Sequence, residues 1–505
     1  MSYYAIGIGG TGAKCLEALI HLCSAGLLPG DLTIIFIDPD KSNGCLERAA
    51  QTVKLYQNIK TKINFGASDI FETSVTIPEP DIWSPFEDDV NPRLDNFFVK
   101  ASLDQVSSDL FDVLYTQKEQ ETTLEKGFRG HPSIGSAIFA DKVDLGAGEP
   151  WSSFKNKIAI DLNGGEGRIF LFGSIFGGTG ASGFPTIATL IRNELKKLGM
   201  PPDASNMRLG GALMLPYFTF NSHNDSELKA RAEEFLVNSQ AALKYYYKRY
   251  ESDANNFFDA LYLLGDQSPQ QFDNKKTSLG GATQRNAPHF VELYAALAAL
   301  HFFRRTLFNT KRSVHLISRN KDNVSWADLP QITDSPKEPT CRNKLGQMTK
   351  FSFAYLHQYF PVLESIRNNG AGISEPWFID FIRNNLAESD LNFHWNELQM
   401  LKDYCELFLR WIASMQLDPR VEFVEARAFS SAGSDEVEIK KGVHFDPVSY
   451  LNLILPSDYG TTKNDKMIKL LEQMCCAYPG DESSSSVIGN FISTLHSKCL
   501  EKARS

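Results

Sequence analysis

The stretch SIFGGTGASG, residues 174–183, follows the apolar run RIFLF at 168–172 and leads into apolar, helically spaced residues at 184–195. A strand that turns on glycines into a helix leaves the first amides of that helix without carbonyl partners, and glycine lets an anion approach them. The arrangement recurs near the N-terminus. Residues 3–8 form a short apolar strand, GIGGTG at 7–12 is the turn, and residues 15–23 carry apolar side chains at helical spacing. LTIIFI at 32–37 is a run of the kind found in a strand buried on both faces. Two such loops in one chain can surround a polyphosphate from two sides. Taken alone, the first loop, with Gly7, Gly9, Gly12 and Asp38 after the next strand, also fits a dinucleotide fingerprint, but that fold does not need the second loop.

The composition is that of a globular protein. The chain has 505 residues, 42% of them apolar and 22% charged, enough for about three domains or two large ones. Asp and Glu (61) exceed Lys and Arg (51), so bulk charge favours neither nucleic acid nor an anionic membrane as partner. The eight cysteines form no CxxC pair, which suits reduced thiols. A basic leader and an apolar run of about 18 residues are both missing, so the expectation is a cytoplasmic protein without a membrane span. HExxH and GxSxG are likewise missing, and zinc hydrolysis and serine esterase chemistry have no support.

The second loop resembles the signature loop of the tubulin/FtsZ superfamily, GGGTG(S/T)G. Phe176 stands at its first glycine, while Gly177, Gly178, Thr179, Gly180, Ser182 and Gly183 are in register. Other segments follow in the family's order. IGIGGTGAKCL at 6–16 resembles the first phosphate loop, IDPDKS at 37–42 the acidic second loop, and RGHPSIG at 129–135 the γ-phosphate loop. GGALMLPYFTF at 210–220 and NNFFDALYLLG at 255–265 are similar to the next strands, and NAPHFVELYAALAALHFF at 286–303 to the long central helix. DNVSWADLP at 322–330 resembles the synergy loop NVDFADV: Asn323, Val324, Ala327 and Asp328 match, and Ser325 replaces its first acid. Long insertions, notably 43–127, point to the divergent bacterial tubulin-like proteins.

The resemblance implies an α/β fold: a Rossmann-like GTPase domain with a parallel sheet (1–285), a long central helix (286–308), a second α+β domain (309–460) and a helical C-terminal appendage (461–505). It implies GTP/GDP and Mg2+ as cofactors. Gly9, Gly10, Thr11, Gly12, Gly177, Gly178, Thr179, Gly180, Ala181 and Ser182 would cradle the phosphates, with Gly130 and His131 at the γ-phosphate. Asp38 and Asp40 would lie near the metal, Asp40 as its ligand, and Glu292 would accept hydrogen bonds from guanine. Lys14 stands where the family usually has Asn. Asp328, with Asn323, would act on the nucleotide of the next subunit in a head-to-tail filament.

In the remainder, 226–250, 351–366 and 395–415 read as helices, 421–429 and 436–445 as a hairpin, and 450–455 as a strand. A helix at 467–476, a DESSSS linker at 481–486 and a final helix form a tail that either packs on its own domain or holds a partner protein or a neighbouring subunit. Three functions are compatible with these features: a GTP-binding filament protein with hydrolysis completed across the subunit interface; a nucleotide-gated scaffold with little turnover that recruits a partner; and, remotely, an NAD- or FAD-linked oxidoreductase. Ser325 favours the second, because a hydroxyl lacks the charge of a carboxylate.

Overall fold

A computed structural model describes residues 1–66, 68–86, 92–128, 131–199, 207–220, 232–251, 258–272, 285–305, 313–318, 322–330, 332, 340–379, 388–424, 429–431, 437–439 and 486–499. The expected strand at 450–455, the helix at 467–476 and Gly130 lie outside these residues.

The chain opens with β1 (Ser2–Ile8), α1 (Gly9–Ser24), β2 (Asp31–Ile37) and α2 (Gly44–Lys62). The region expected to be an insertion continues with β3 (Ser74–Thr76), β4 (Ile82–Trp83), α3 (Leu94–Phe97), α4 (Gln105–Leu114) and α5 (Gln117–Glu121). Then come α6 (Pro132–Lys142), α7 (Trp151–Gly164), β5 (Gly167–Ser174), α8 (Gly178–Lys197), β6 (Met207–Met214), β7 (Phe218–Phe220), α9 (Ala232–Glu251), β8 (Ala260–Gly265) and β9 (Gln270–Phe272). The central helix, α10, spans Phe290–Arg304 and is followed by β10 (Ser313–Ser318).

Eight strands form one parallel sheet in the order β10-β8-β6-β5-β1-β2-β3, with β4 also paired to β2. Every residue of β5 is buried, and so is all of β1 after Ser2, as a parallel sheet covered on both faces requires. One face carries α1, α2 and α10, and the other carries α6, α7 and α8. Helix α10 is buried at every position except Tyr294, His301 and Arg304, which fits a helix enclosed between the sheet and the layer beyond it. The boundary expected at 309 is corrected by β10, which pairs with β8 from Ser313↔Ala260 to Ser318↔Gly265 and so belongs to the first sheet.

The second region contains β11 (Val324–Ser325), α11 (Cys341–Ala354), α12 (Phe360–Asn369), α13 (Pro376–Phe378), α14 (Glu388–Phe393), α15 (Trp395–Ser414), β12 (Val421–Glu422), β13 (Phe429–Ser431) and β14 (Val437–Ile439). The hairpin is the antiparallel pair β13–β14, whereas Val421, expected in it, instead pairs in parallel with Val324. The last helix, α16 (Val487–Lys498), buries Ile488, Phe491, Ile492 and Leu495. Ser486 N–H and Ser493 Oγ donate to the carbonyls of Asn64 (3.2 Å) and Phe65 (3.0 Å). The apolar face of α16 packs on its own chain, the alternative to a partner site.

Two histidines are sealed into these contacts. His21 of α1 meets Tyr404 (Nδ1 to OH, 3.1 Å) and Trp411 of α15, and His496 of α16 lies beside Gln347 and Phe351 of α11. Burial depresses both from the ordinary 6.5 to about 3. Between these values the unfolded chain takes up a proton that the folded chain refuses, so stability is fully present above pH 6.5 and falls as the pH drops towards 3. Each histidine should remove about 1.4 kcal/mol per pH unit in that window. The urea midpoint of His21→Gln or His496→Gln should therefore depend less steeply on pH between 6.5 and 4.5 than that of the parent, whatever either change costs at pH 7.5; equal slopes would reject this account.

Candidate functional site at the carboxyl ends of β1 and β5

Strands β1 and β5 are neighbours, and their connections diverge: α1 carries the chain to β2 on one face of the sheet, and α8 carries it to β6 on the other. The crevice between them is a topological switch point, where open α/β sheets bind ligands. Both helices begin without a side-chain cap, after Ile8 and Gly177 respectively. Their first-turn amides, Gly9, Gly10 and Thr11 on one side and Gly178, Thr179 and Gly180 on the other, have no carbonyl within their own helix. The two turns touch: a Cβ on Gly9 would lie 3.4 Å from Thr179 Cβ and 3.5 Å from the Gly180 nitrogen. Gly9 also has φ +75°, a conformation glycine adopts without penalty. The arrangement fits a polyphosphate, since two positive helix ends and their unsatisfied donors converge on one point.

The glycines do two jobs. Gly10, Thr11, Gly177 and Gly178 keep partial exposure and form the open rim. Gly12 and Gly180 instead allow close packing: a Cβ on Gly12 would stand 2.7 Å from the Phe172 carbonyl, and one on Gly180 2.7 Å from the Ser174 nitrogen. Two members of the expected cradle are corrected. The Ala181 N–H already donates to the Gly177 carbonyl (2.9 Å), and the fully buried Ser182 hydroxyl donates to the carbonyls of Gly178 (2.7 Å) and Thr179 (3.1 Å). Ser182 also receives Gly135 of α6, which fixes α6 against α8.

His131 sits at the start of α6, with its Nδ1 3.1 Å from Glu119. The turn before it comes close to the second loop, because a Cβ on Gly127 (φ +80°) would lie 3.4 Å from Thr179 Oγ1. Asp38 and Asp40 are both buried after β2. Asp38 accepts from the Asp40 N–H (3.1 Å), and burial raises its carboxyl to about 8. Asp40 accepts from Ser42 N–H (3.1 Å) and Oγ (2.7 Å). One acid beside phosphates suits Mg2+, which commonly uses one or two carboxylates with phosphate oxygens and water.

Glu292 departs from its expected role. It is 1% exposed, forms an ion pair with Lys14 of α1, and accepts from Tyr217 OH (2.7 Å) and the His289 N–H (2.9 Å). Both carboxylate oxygens are thus engaged inside the protein, and neither is offered to a base. A second buried pair, Arg48 with Glu17 (2.8 Å), runs parallel to it, and Arg48 also donates to the Asn286 carbonyl (2.9 Å). Together these pairs fasten α1 to α2 and to the start of α10.

Asp328 and Asn323 stand on the same edge as the glycine loops. Because β10 returns the chain to the carboxyl ends of the strands, residues 322–330 emerge on the edge that carries the glycine loops. Asn323, Val324 and Asp328 line a cavity of about 150 Å³ with Gly265 and Ser318, the last residues of β8 and β10, and with Phe290, Val291 and Tyr294 from the first turns of α10. Asp328 Oδ2 accepts from Ser325 N–H (2.9 Å) and Oγ (3.0 Å), closing a short turn.

Sequence reasoning passed over Asn43. Its Oδ1 caps α2 by accepting from Cys45 N–H (3.0 Å), and its Nδ2 would be 3.1 Å from a Cβ on Gly10. Asn directly before a helical run is a cap signal that could have revealed it. Among the described residues, one trio of potential metal ligands has its ligand atoms within 4.8 Å: Asp266, His289 and Asp418. Arg420 already bridges the two acids, at 2.6 Å to Asp418 and 3.2 Å to Asp266.

The profile of the family described as tubulin like matches residues 5–298. The chain belongs to the tubulin-like family. This tubulin-like chain also matches a solved structure, CetZ2 from Haloferax volcanii in a GTPγS-bound protofilament, at 14% identity and a TM-score of 0.26, over 62% of this chain and 64% of that one. It therefore spans just under two thirds of that protein. No curated protein matches the sequence.

Lys14→Met alone should strand the Glu292 carboxylate and destabilise the protein by about 3–5 kcal/mol, whereas adding Glu292→Gln should restore most of the loss. Denaturant unfolding of the single and double variants tests this; a double variant no more stable than Lys14→Met would show that the pair is not what holds α1 to α10.

Proposed function

We propose that this tubulin-like protein binds GTP and Mg2+ between its two glycine loops and self-assembles head to tail in the cytoplasm in response to the nucleotide. The observation that carries this reading is the meeting of two uncapped helix N-termini at the β1/β5 switch point, in a chain whose residues 5–298 match the tubulin-like family. The amides of Gly9, Gly10, Thr11, Gly178, Thr179 and Gly180 would take the phosphates, Asp40 would hold the metal, and His131, at the start of α6, would stand near the γ-phosphate. Guanine as the base rests on the family alone, because Glu292 is committed to Lys14. The second glycine loop, which a dinucleotide-binding fold does not need, weighs against a dinucleotide cofactor.

A specific observation favours the low-turnover form of this function. Residues 322–330 lie on the same edge as the glycine loops, and Asp328 is tied to Ser325, which supports a reading in which Asp328 does not complete a neighbour's site. A nucleotide-gated scaffold follows, with assembly set by occupancy and hydrolysis slow.

Negative-stain microscopy and sedimentation with GTP, with GDP and without nucleotide, beside a phosphate-release assay, test both parts. Filaments with GTP and little phosphate release are expected; identical behaviour in all three states would overturn the assignment. Gly10→Val should weaken GTP binding at least about 100-fold in calorimetric titration and leave the circular dichroism spectrum intact, since its side chain would fill the rim where the phosphates sit. Asp328→Ala should leave phosphate release per subunit unchanged at every protein concentration; a large loss would restore cross-subunit catalysis.

A further inference from the structure

Four exposed apolar side chains share one side of α4: Val106 (78% exposed), Leu110 (57%), Val113 (82%) and Leu114 (61%). Their spacing of four, seven and eight residues places them in one stripe along the helix. The inward side of α4 is held by Phe111, which is buried against Phe98 and Tyr115 at ring distances of 5.9 and 5.2 Å. The stripe therefore does not help to fix the helix to its own chain. Close by, Val99 is also exposed and has φ 47° and ψ 51°. A β-branched residue in the left-handed region is a genuine outlier, and such strain gathers at binding and switch segments. Val99 is coupled to α4 through its neighbour Lys100, which pairs with Asp112 and donates to Gln120.

Acidic residues stand along one flank of the stripe and at the N-terminal end of the helix. Asp109 follows Val113 around the helix, and Asp104 caps the first turn through the Ser107 N–H (3.0 Å). Residues 99–121 contain Asp104, Asp109, Asp112, Glu119 and Glu121 against Lys100 and Lys118, and Lys100 is already engaged. Soluble proteins seldom expose contiguous apolar patches of several hundred Å² unless these bind something. A stripe along a helix matches the anchor spacing of another helix, and an acidic border selects a basic one.

We propose that this face of α4 is a docking site for a short amphipathic helix of a partner protein, one whose apolar stripe is bordered by lysine or arginine. Leucines of the incoming helix would lie on Val106, Leu110, Val113 and Leu114, and its basic border would meet Asp104 and Asp109. None of these residues belongs to the glycine loops, so docking does not require nucleotide.

Two labelled 14-residue helical peptides with the same leucine stripe, one bordered by lysine and the other by glutamate, would be titrated with the full chain in fluorescence anisotropy at low salt. The lysine peptide should bind at least about tenfold more tightly than the glutamate peptide, and the advantage should shrink as salt rises. Leu110→Glu/Val113→Glu should abolish binding and leave GTP titration unchanged, and the milder Leu110→Ser/Val113→Ser should weaken it without a change in circular dichroism. Absence of binding, equal affinity for the two peptides, or unaltered binding by both variants would each overturn the proposal.

Discussion

Backbone amides at a helix start are useful to an anion only if nothing else satisfies them and no side chain stands in the way. At the ends of β1 and β5 this condition is met twice, and the rest of the site is built around keeping it so. Gly12 and Gly180 bring α1 and α8 hard against the strands, so that the two starts point into one crevice. Ser182 and Gly135 brace the second helix from one side, and Asn43 sits beside the first loop at Gly10. Glycine at these positions trades local chain stability for a surface made of main chain, which the extensive burial on both sheet faces sustains.

The buried charges give that crevice its walls. Lys14–Glu292 and Glu17–Arg48 join α1 to α10 and α2, and Glu292 also closes the first turn of α10 by accepting from His289. An ion pair inside a protein gains little over well-packed apolar side chains, but its geometry is demanding. What it supplies here is register: the helix that starts at the first glycine loop and the helix that forms the spine of the molecule are held at one relative position. The raised titration of Tyr217, caused first by burial and then by the adjacent Glu292 charge, belongs to the same constraint.

The glycine loops, the buried strands and the central helix were legible in the sequence because each depends on local chemistry: glycine at turns, continuous apolar runs, a helix apolar on nearly every side. What was not legible depended on where a distant segment returns. Glu292 looks like a ligand until Lys14, 278 positions earlier, is seen beside it. Asp328 keeps its letter in a motif that departs at Ser325, yet its place is decided by β10, a strand whose alternating exposure, with Val314 and Leu316 turned outward, gave no strong sign of joining a buried sheet. Ser182 illustrates a smaller version of the same limit. A hydroxyl in a glycine loop suits a phosphate, but one turn inside a helix it finds the backbone carbonyl first.

The packing of α16 bears on how the molecule is made. Ser486 and Ser493 reach back to the carbonyls of Asn64 and Phe65, across more than four hundred residues of chain. Gly489 presses so closely on Asn64 that no side chain fits between them. Until residues 486–499 have been made, the apolar surface that α16 covers on α11 and at Tyr359 and Trp377 stays open to water. The half that carries the glycine loops can collapse early, since its strands and helices follow one another in order, but this surface is sealed only once α16 is in place. Contacts so distant in sequence close slowly, and an uncovered surface in the interval is a place where chaperones act.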